Sequence, residues 1–196
     1  MVIGLTGGSG CGKTTALQEL CSLGALPLDA DAVYHELLKQ DVQMLAEIEA
    51  AFPGSVIDGK LQRKKLAAVV FPDPAKLARL NAITHPRVRE AILSAIRGEK
   101  EGLFAIDAFG LMEGKLDELC DHTVAVLAPV ETRLARLMRR DGISREEAAR
   151  RIAAQKSDAA FSESCEYTLY NCGTEEEFRR KCRELFTALI AKERNT

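Results

Sequence analysis

Eight residues near the start of the chain, Gly7-Gly8-Ser9-Gly10-Cys11-Gly12-Lys13-Thr14, match G-x-x-x-x-G-K-[ST] at every fixed position. An apolar segment, Val2 to Leu5, precedes them. A helical pattern follows, with Leu17, Leu20 and Cys21 on one face and Gly24 placed as a C-cap. Strand, glycine-rich turn and helix is the context in which this motif wraps phosphate. Glycines let the backbone curl until successive N–H groups surround phosphate oxygens, and the helix starting near Lys13 adds the positive end of its dipole. Lys13 is expected to reach the β- and γ-phosphates and the Thr14 hydroxyl to ligate Mg²⁺. Gly8, Gly10, Cys11, Gly12 and Thr15 complete the expected nucleotide cradle. Cys11 lies near a helix N-terminus and Lys13, where a thiolate would be favoured, but at this variable position apolar filler is the favoured reading.

Further apolar runs resemble buried strands: Ala25 to Leu28, Leu103 to Ile106, Thr123 to Leu127 and Tyr167 to Tyr170. With the first segment they make five strands interleaved with helices, which predicts an α/β fold: a doubly wound, parallel sheet with helices on both faces. The closing helix has a capping box, Thr174 and Glu177, ahead of an apolar stripe at Phe178, Cys182, Leu185, Phe186 and Leu189. Two intervals break the alternation. Residues 32–102 carry helix signals and little strand pattern, with Asp73-Pro74 and His85-Pro86 both reading as helix starts. Residues 139–162 are arginine-rich, with a capping box at Ser144 and Glu147. The chain is therefore expected to be one unit of 196 residues. Its core would comprise about 1–31, 103–138 and 163–196, with a helical substrate-binding insertion over about 32–102 and a helical lid over about 139–162.

Composition removes several alternatives. With 27 Lys+Arg against 29 Asp+Glu, the net charge of −2 does not suit a wholesale nucleic-acid binder. The longest apolar run, Leu66 to Phe71, is far short of the roughly 18 residues of a membrane span, and no basic segment precedes an apolar stretch at the start. A cytoplasmic protein with reduced thiols is expected, its six cysteines forming no CxxC pair. No obligatory protein partner is evident.

Asp29 and Asp31 follow the second predicted strand, at the sheet edge where ligands collect. A carboxylate there can take the proton of an attacking hydroxyl or hold Mg²⁺ through water; the alternative is to cap the following helix, with the functional reading favoured for Asp31 and the two readings even for Asp29. Asp107 ends an apolar run in the manner of a strand-end aspartate that orients Mg²⁺. Asp107-Ala108-Phe109-Gly110 also reads D-x-x-G, as in GTP-driven switches, but no N-K-x-D tetrapeptide for guanine occurs. Between Arg133 and Arg151 lie seven arginines against three acids. Arg140, at the Arg-Arg-Asp-Gly turn, is the one expected to reach phosphate. The others are expected to be solvated or paired with glutamates at helical spacing.

Taken together, the chain resembles the dephospho-CoA kinase family over nearly its full length. Thr6 to Thr15 is similar to that family's opening loop, and Asp29-Ala30-Asp31 to its D-x-D. Leu61-Gln62-Arg63, Leu66, Phe71 and His85-Pro86 are similar to its L-x-R stretch and the following H-P. Arg140-Asp141, Gln155 and Asn171 fall at its lid arginine, lid glutamine and post-strand asparagine. The resemblance implies ATP-dependent phosphorylation of the ribose 3′-hydroxyl of dephospho-CoA, with Mg²⁺. It makes Asp31 the general base, and Lys13 and Arg140 the groups that stabilise the transferring phosphoryl. Asp29, Arg63, His85, Asp107 and Glu113 are then expected on the acceptor, and adenine beside Asn171 to Gly173. Where the family usually carries Pro-Leu-Leu-Phe-Glu, this chain has Phe109-Gly110-Leu111-Met112-Glu113. Another small-molecule kinase of the same architecture is the alternative, and a nucleotide-dependent switch a more remote one.

Overall fold

In chain order the computed structural model runs β1 (Val2–Thr6), α1 (Lys13–Ser22), β2 (Ala25–Asp29), α2 (Ala30–Gln40), α3 (Val42–Ala51), β3 (Val56–Ile57) and β4 (Lys60–Leu61). It continues α4 (Arg63–Val70), α5 (Pro74–Gly98), β5 (Leu103–Asp107), β6 (His122–Leu127), α6 (Val130–Asp141), α7 (Arg145–Ala153), α8 (Asp158–Ser164), β7 (Tyr167–Tyr170) and α9 (Glu175–Glu193). Residues 1–99 and 102–193 are described. The chain gathers into two units, one of Met1–Leu28, Glu101–Met112 and Leu116–Thr196, the other of Asp29–Lys100 with Glu113–Lys115.

All five predicted strands form, in one parallel sheet of order β2-β5-β1-β6-β7. β1 lies at its centre, every residue buried, with Ile3 opposite Ala105 on one side and His122 on the other. Alternation along the strands sends residues to both faces. Ile3, Leu5, Val124 and Val126 pack with Ala16 and Leu20 of α1 and with Phe178, Cys182, Phe186 and Leu189 of α9. Ala125 and Leu127 meet Phe161 of α8. The α9 stripe expected from sequence is the one buried, and its capping box closes in both directions: Thr174 N–H donates to Glu177 Oε2 (2.8 Å) and Glu177 N–H to Thr174 Oγ1 (3.2 Å).

The second unit is built on α2 to α5 round Leu38, Met44, Ile48, Phe52, Leu66, Val70 and Leu80. Two features depart from the sequence reading. His85-Pro86 does not start a helix; Pro86 lies inside the 25-residue α5. Proline removes one helical N–H, but Leu80, Thr84, Val88 and Ile92 form a single buried stripe that runs straight past it, and that packing holds the helix continuous. The interval also holds strands after all. β3 and β4 pair antiparallel through Asp58-Gly59, both at positive φ (51° and 71°), the signature of a two-residue hairpin turn. Among the described residues no helix is long and apolar enough to cross a membrane.

The seam between α1 and α9 carries a buried charge. Glu19 is 4% exposed and accepts from Arg179 (2.8 Å) and from Arg183 (2.8 and 3.2 Å). Hydrogen bonding from Arg179 foremost, with Arg183, holds its carboxyl below the usual range against the opposing effect of burial. A depressed carboxylate stabilises the fold above its unfolded pKa, and that contribution disappears as pH falls through the folded value. Glu19→Gln should therefore cost about 1–2 kcal/mol near neutral pH. In urea melts the gap from the parent should narrow towards about pH 3; a gap independent of pH would mean that packing, not charge, is what the substitution removes.

Candidate active site

The phosphate loop joins the buried end of β1 to α1, so its two limbs are fixed by the sheet and by the α1–α9 packing. Gly12, the residue before α1, sits at φ 106°, a conformation glycine adopts without penalty. A Cβ there would strike the Asn171 amide, and one at Gly8 would strike the Arg133 guanidinium. The glycines are thus required by close packing as well as by curvature.

Three successive carbonyls of the loop are tied down from outside. Arg133 Nε donates to Ser9 O (3.0 Å) and Arg136 Nη1 to Gly10 O (3.1 Å). Arg136 Nη1 also donates to Cys11 O (3.3 Å), joined there by Asn171 Nδ2 (2.9 Å). In a trans peptide the C=O and the following N–H point in opposite directions. Pinning the Ser9 and Cys11 carbonyls outward therefore turns the Gly10 and Gly12 N–H groups into the loop. α1 begins immediately afterwards; Thr15 and Ala16 N–H donate to Gly12 O (3.0 and 3.2 Å), and the N–H groups ahead of them precede the first helical carbonyl. This is an anion cradle whose donors are aimed in advance.

Lys13, the first residue of α1, places its ammonium against the carboxylate of Asp107, the last residue of β5. Both side chains are mostly buried, at 21% and 16% exposed. Register sets this up, since Asp107 lies opposite Leu5, just before the loop begins. Thr14 is exposed and Thr15 half-buried in the first turn of α1. Cys11 fits the favoured sequence reading of apolar filler. It is 1% exposed in the core, and burial raises its thiol above the ordinary value despite the opposing effect of Lys13.

The arginine cluster divides differently from its helical spacing. Arg133 is 2% exposed and Arg136 partly buried, and both serve the loop; neither is solvated or paired with a neighbouring glutamate. Arg133 also donates to Asp158 (3.0 Å) and to Gln155 Oε1 (2.9 Å). Gln155 Oε1 accepts from Ser9 N–H (2.9 Å) as well, and its Nε2 donates to Ser9 Oγ (2.6 Å). Arg140 is 62% exposed at the end of α6 and forks onto Asp141 (2.7 and 3.0 Å), whose carboxylate also takes Arg151 (2.5 Å). Arg145 pairs with Glu131 (2.8 Å).

Asn171 divides its amide between Cys11 O and Arg136 Nη2 (3.2 Å), so its side chain shapes the loop. Gly173 is exposed just before the α9 cap. In the second unit Asp29 is the N-cap of α2, accepting from the N–H groups of Asp31 (2.9 Å) and Ala32 (3.0 Å). Asp31 is exposed in that first turn. Arg63 opens α4, and its charge opposes the effect of burial on the Tyr34 phenol. His85 Nδ1 lies 2.9 Å from the Glu113 carbonyl; because a carbonyl only accepts, that nitrogen carries the proton. Glu113 is itself exposed. Phe109, in the altered segment, packs edge-on against Phe161 of α8 (centroids 5.9 Å), and its carbonyl accepts from Thr6 Oγ1 (2.9 Å).

Asn171→Ala should lower stability by about 1–3 kcal/mol by orphaning buried partners. It should also raise the KM for ATP while leaving the ratio of ATP to GTP use unchanged. A shifted ratio in paired kinetic assays would instead give this side chain a part in reading the base.

Comparison with known proteins shows the family. The family model described as dephospho-CoA kinase matches residues 1–177. The chain is 38% identical over 190 residues to a dephospho-CoA kinase of Thermobifida fusca, covering 95% of each protein. It is 42% identical over 174 residues to one of Deinococcus radiodurans, covering 87% of this chain and 84% of that protein. A solved structure of dephospho-CoA kinase from Campylobacter jejuni superposes with a TM-score of 0.69 at 25% identity, over 98% of both chains. Arriving independently of the loop geometry, these matches agree that the chain belongs to the dephospho-CoA kinase family.

Proposed function

We propose that this chain transfers the γ-phosphoryl group of ATP to the ribose 3′-hydroxyl of dephospho-CoA, yielding coenzyme A and ADP in the cytoplasm, the last step of coenzyme A biosynthesis. The observation that carries this reading is the lysine–carboxylate pair at the phosphate loop, in a chain matching the family over residues 1–177. Lys13 exchanges its carboxylate partner for the β- and γ-phosphates when nucleotide enters. Asp31 accepts the proton of the attacking hydroxyl. Asp29 supports it by fixing the first turn of α2 on which it stands. Arg140 exchanges its exposed pairing with Asp141 for the transferring phosphoryl.

The acceptor falls to the helical unit, with Arg63 for its negative charge and with His85 and Glu113 shaping the site. Asn171 to Gly173 border the adenine through backbone. A magnesium ion suits the donors present: the exposed Thr14 hydroxyl and the Asp107 carboxylate are hard oxygen ligands at the loop, and Mg²⁺ retains several waters beside one or two such groups. When bound it would neutralise charge between the β- and γ-phosphates.

An ADP-release assay should show turnover with dephospho-CoA and none with AMP, UMP, CMP, shikimate or gluconate. Turnover confined to one of the latter would replace this acceptor by another. Asp31→Asn should reduce kcat by a factor of about 10² or more with ATP binding nearly intact; near-normal turnover would remove Asp31 as the base.

A further inference from the structure

Ser9 is the one side chain between Gly7 and Gly12 able to donate to an anion through oxygen, and its surroundings orient it. Gln155 Oε1 faces two donors, the Ser9 N–H (2.9 Å) and Arg133 Nη2 (2.9 Å). Only an oxygen can sit between two donors, so the other end of the amide is the NH₂ group, which donates to Ser9 Oγ (2.6 Å). Arg133 is in turn fixed by burial and by Asp158 and Ser9 O (3.0 Å each). A hydroxyl that accepts one hydrogen bond keeps a single proton to give. Among the described residues Ser9 Oγ donates that proton to no protein oxygen. Its N–H, moreover, is already committed to Gln155.

We propose that the Ser9 hydroxyl is a direct hydrogen-bond donor to the terminal phosphate of the bound nucleoside triphosphate, with Gln155 and Arg133 as its positioning residues. The α- and β-phosphates take backbone N–H groups of the loop, which leaves the γ-phosphate for a hydroxyl on the opposite limb from Lys13. The chain Asp158–Arg133–Gln155–Ser9 also makes the α7–α8 junction part of the phosphate site. This inference rests on the loop being the ATP site.

The test is titration calorimetry of the intact protein with ADP and with a non-hydrolysable ATP analogue, accompanied by thermal melts. Ser9→Ala should weaken the triphosphate analogue about ten-fold, the scale of a hydrogen bond to a charged group, and leave ADP within about two-fold. Ser9→Thr, which keeps the hydroxyl, should restore analogue binding. Gln155→Leu, which leaves the hydroxyl unoriented, should reproduce the selective loss of analogue affinity and decides the matter if Ser9→Ala fails to melt like the parent. Equal losses for ADP and the analogue, or no loss in either variant, would overturn the role of Ser9. Failure of the unaltered protein to bind either nucleotide would overturn the ATP reading, and this inference with it.

Discussion

A loop made largely of glycine has almost no side chains with which to hold its own shape, so the outward pull on three successive carbonyls is the interaction on which the site depends. Arg133, Arg136 and Asn171 supply it from α6 and from the end of β7, more than 120 residues away in sequence from the loop they hold. Left to itself, such a segment would lose more conformational entropy on ordering than any other composition. The sheet makes the arrangement possible: β6 and β7 lie on the same side of β1, so the segments following them converge on the turn that leaves β1. Burying the Arg133 guanidinium there is tolerable because Ser9, Gln155 and Asp158 each accept from it.

Charge in the first unit is accordingly organised in two tiers. Behind the loop are guanidiniums committed to carbonyls, amide oxygen and one carboxylate, which set geometry. Lys13 has a carboxylate partner, and Arg140 and Arg151 share Asp141 near the surface. The Asp141 pairs, made by exposed arginines, exchange partners at modest cost because solvent screens them, whereas the mostly buried Lys13–Asp107 pair needs an incoming anion to replace the carboxylate. A near-neutral whole-chain charge conceals both tiers.

The sequence was most informative where the physics is local. Alternation and apolar runs marked every strand of the main sheet, Thr174 and Glu177 announced their capping box, and the loop motif announced the phosphate cradle. It was least informative where a contact joins distant segments. Helical spacing offered Arg133 and Arg136 glutamate partners on their own surface, whereas both turn inward to a loop that no pattern local to α6 reveals. Pro86 was read as a helix start because proline favours that position, and only the buried stripe on either side of it shows why the helix continues. The β3–β4 hairpin did have a local signal in Asp58-Gly59, hidden among stronger helix signals. Asp29 and Asp31 carried both readings in sequence, and the observed cap separates them: the first spends its carboxylate on backbone N–H groups, the second does not.

The three residues Glu113–Lys115 belong to the helical unit although β5 has intervened since that unit's main segment ended. His85 binds the Glu113 carbonyl and Arg89 Nε donates to the Lys115 carbonyl (3.1 Å), so the return is clasped to α5 at both ends. The helical unit is therefore not a cassette spliced in at one point. A fragment cut out between Asp29 and Glu99 would lack its closing clasp, and a graft of that fragment onto another sheet would have to bring a second, separate piece of chain with it. Inheritance of the helical unit is in this sense tied to inheritance of the turn after β5.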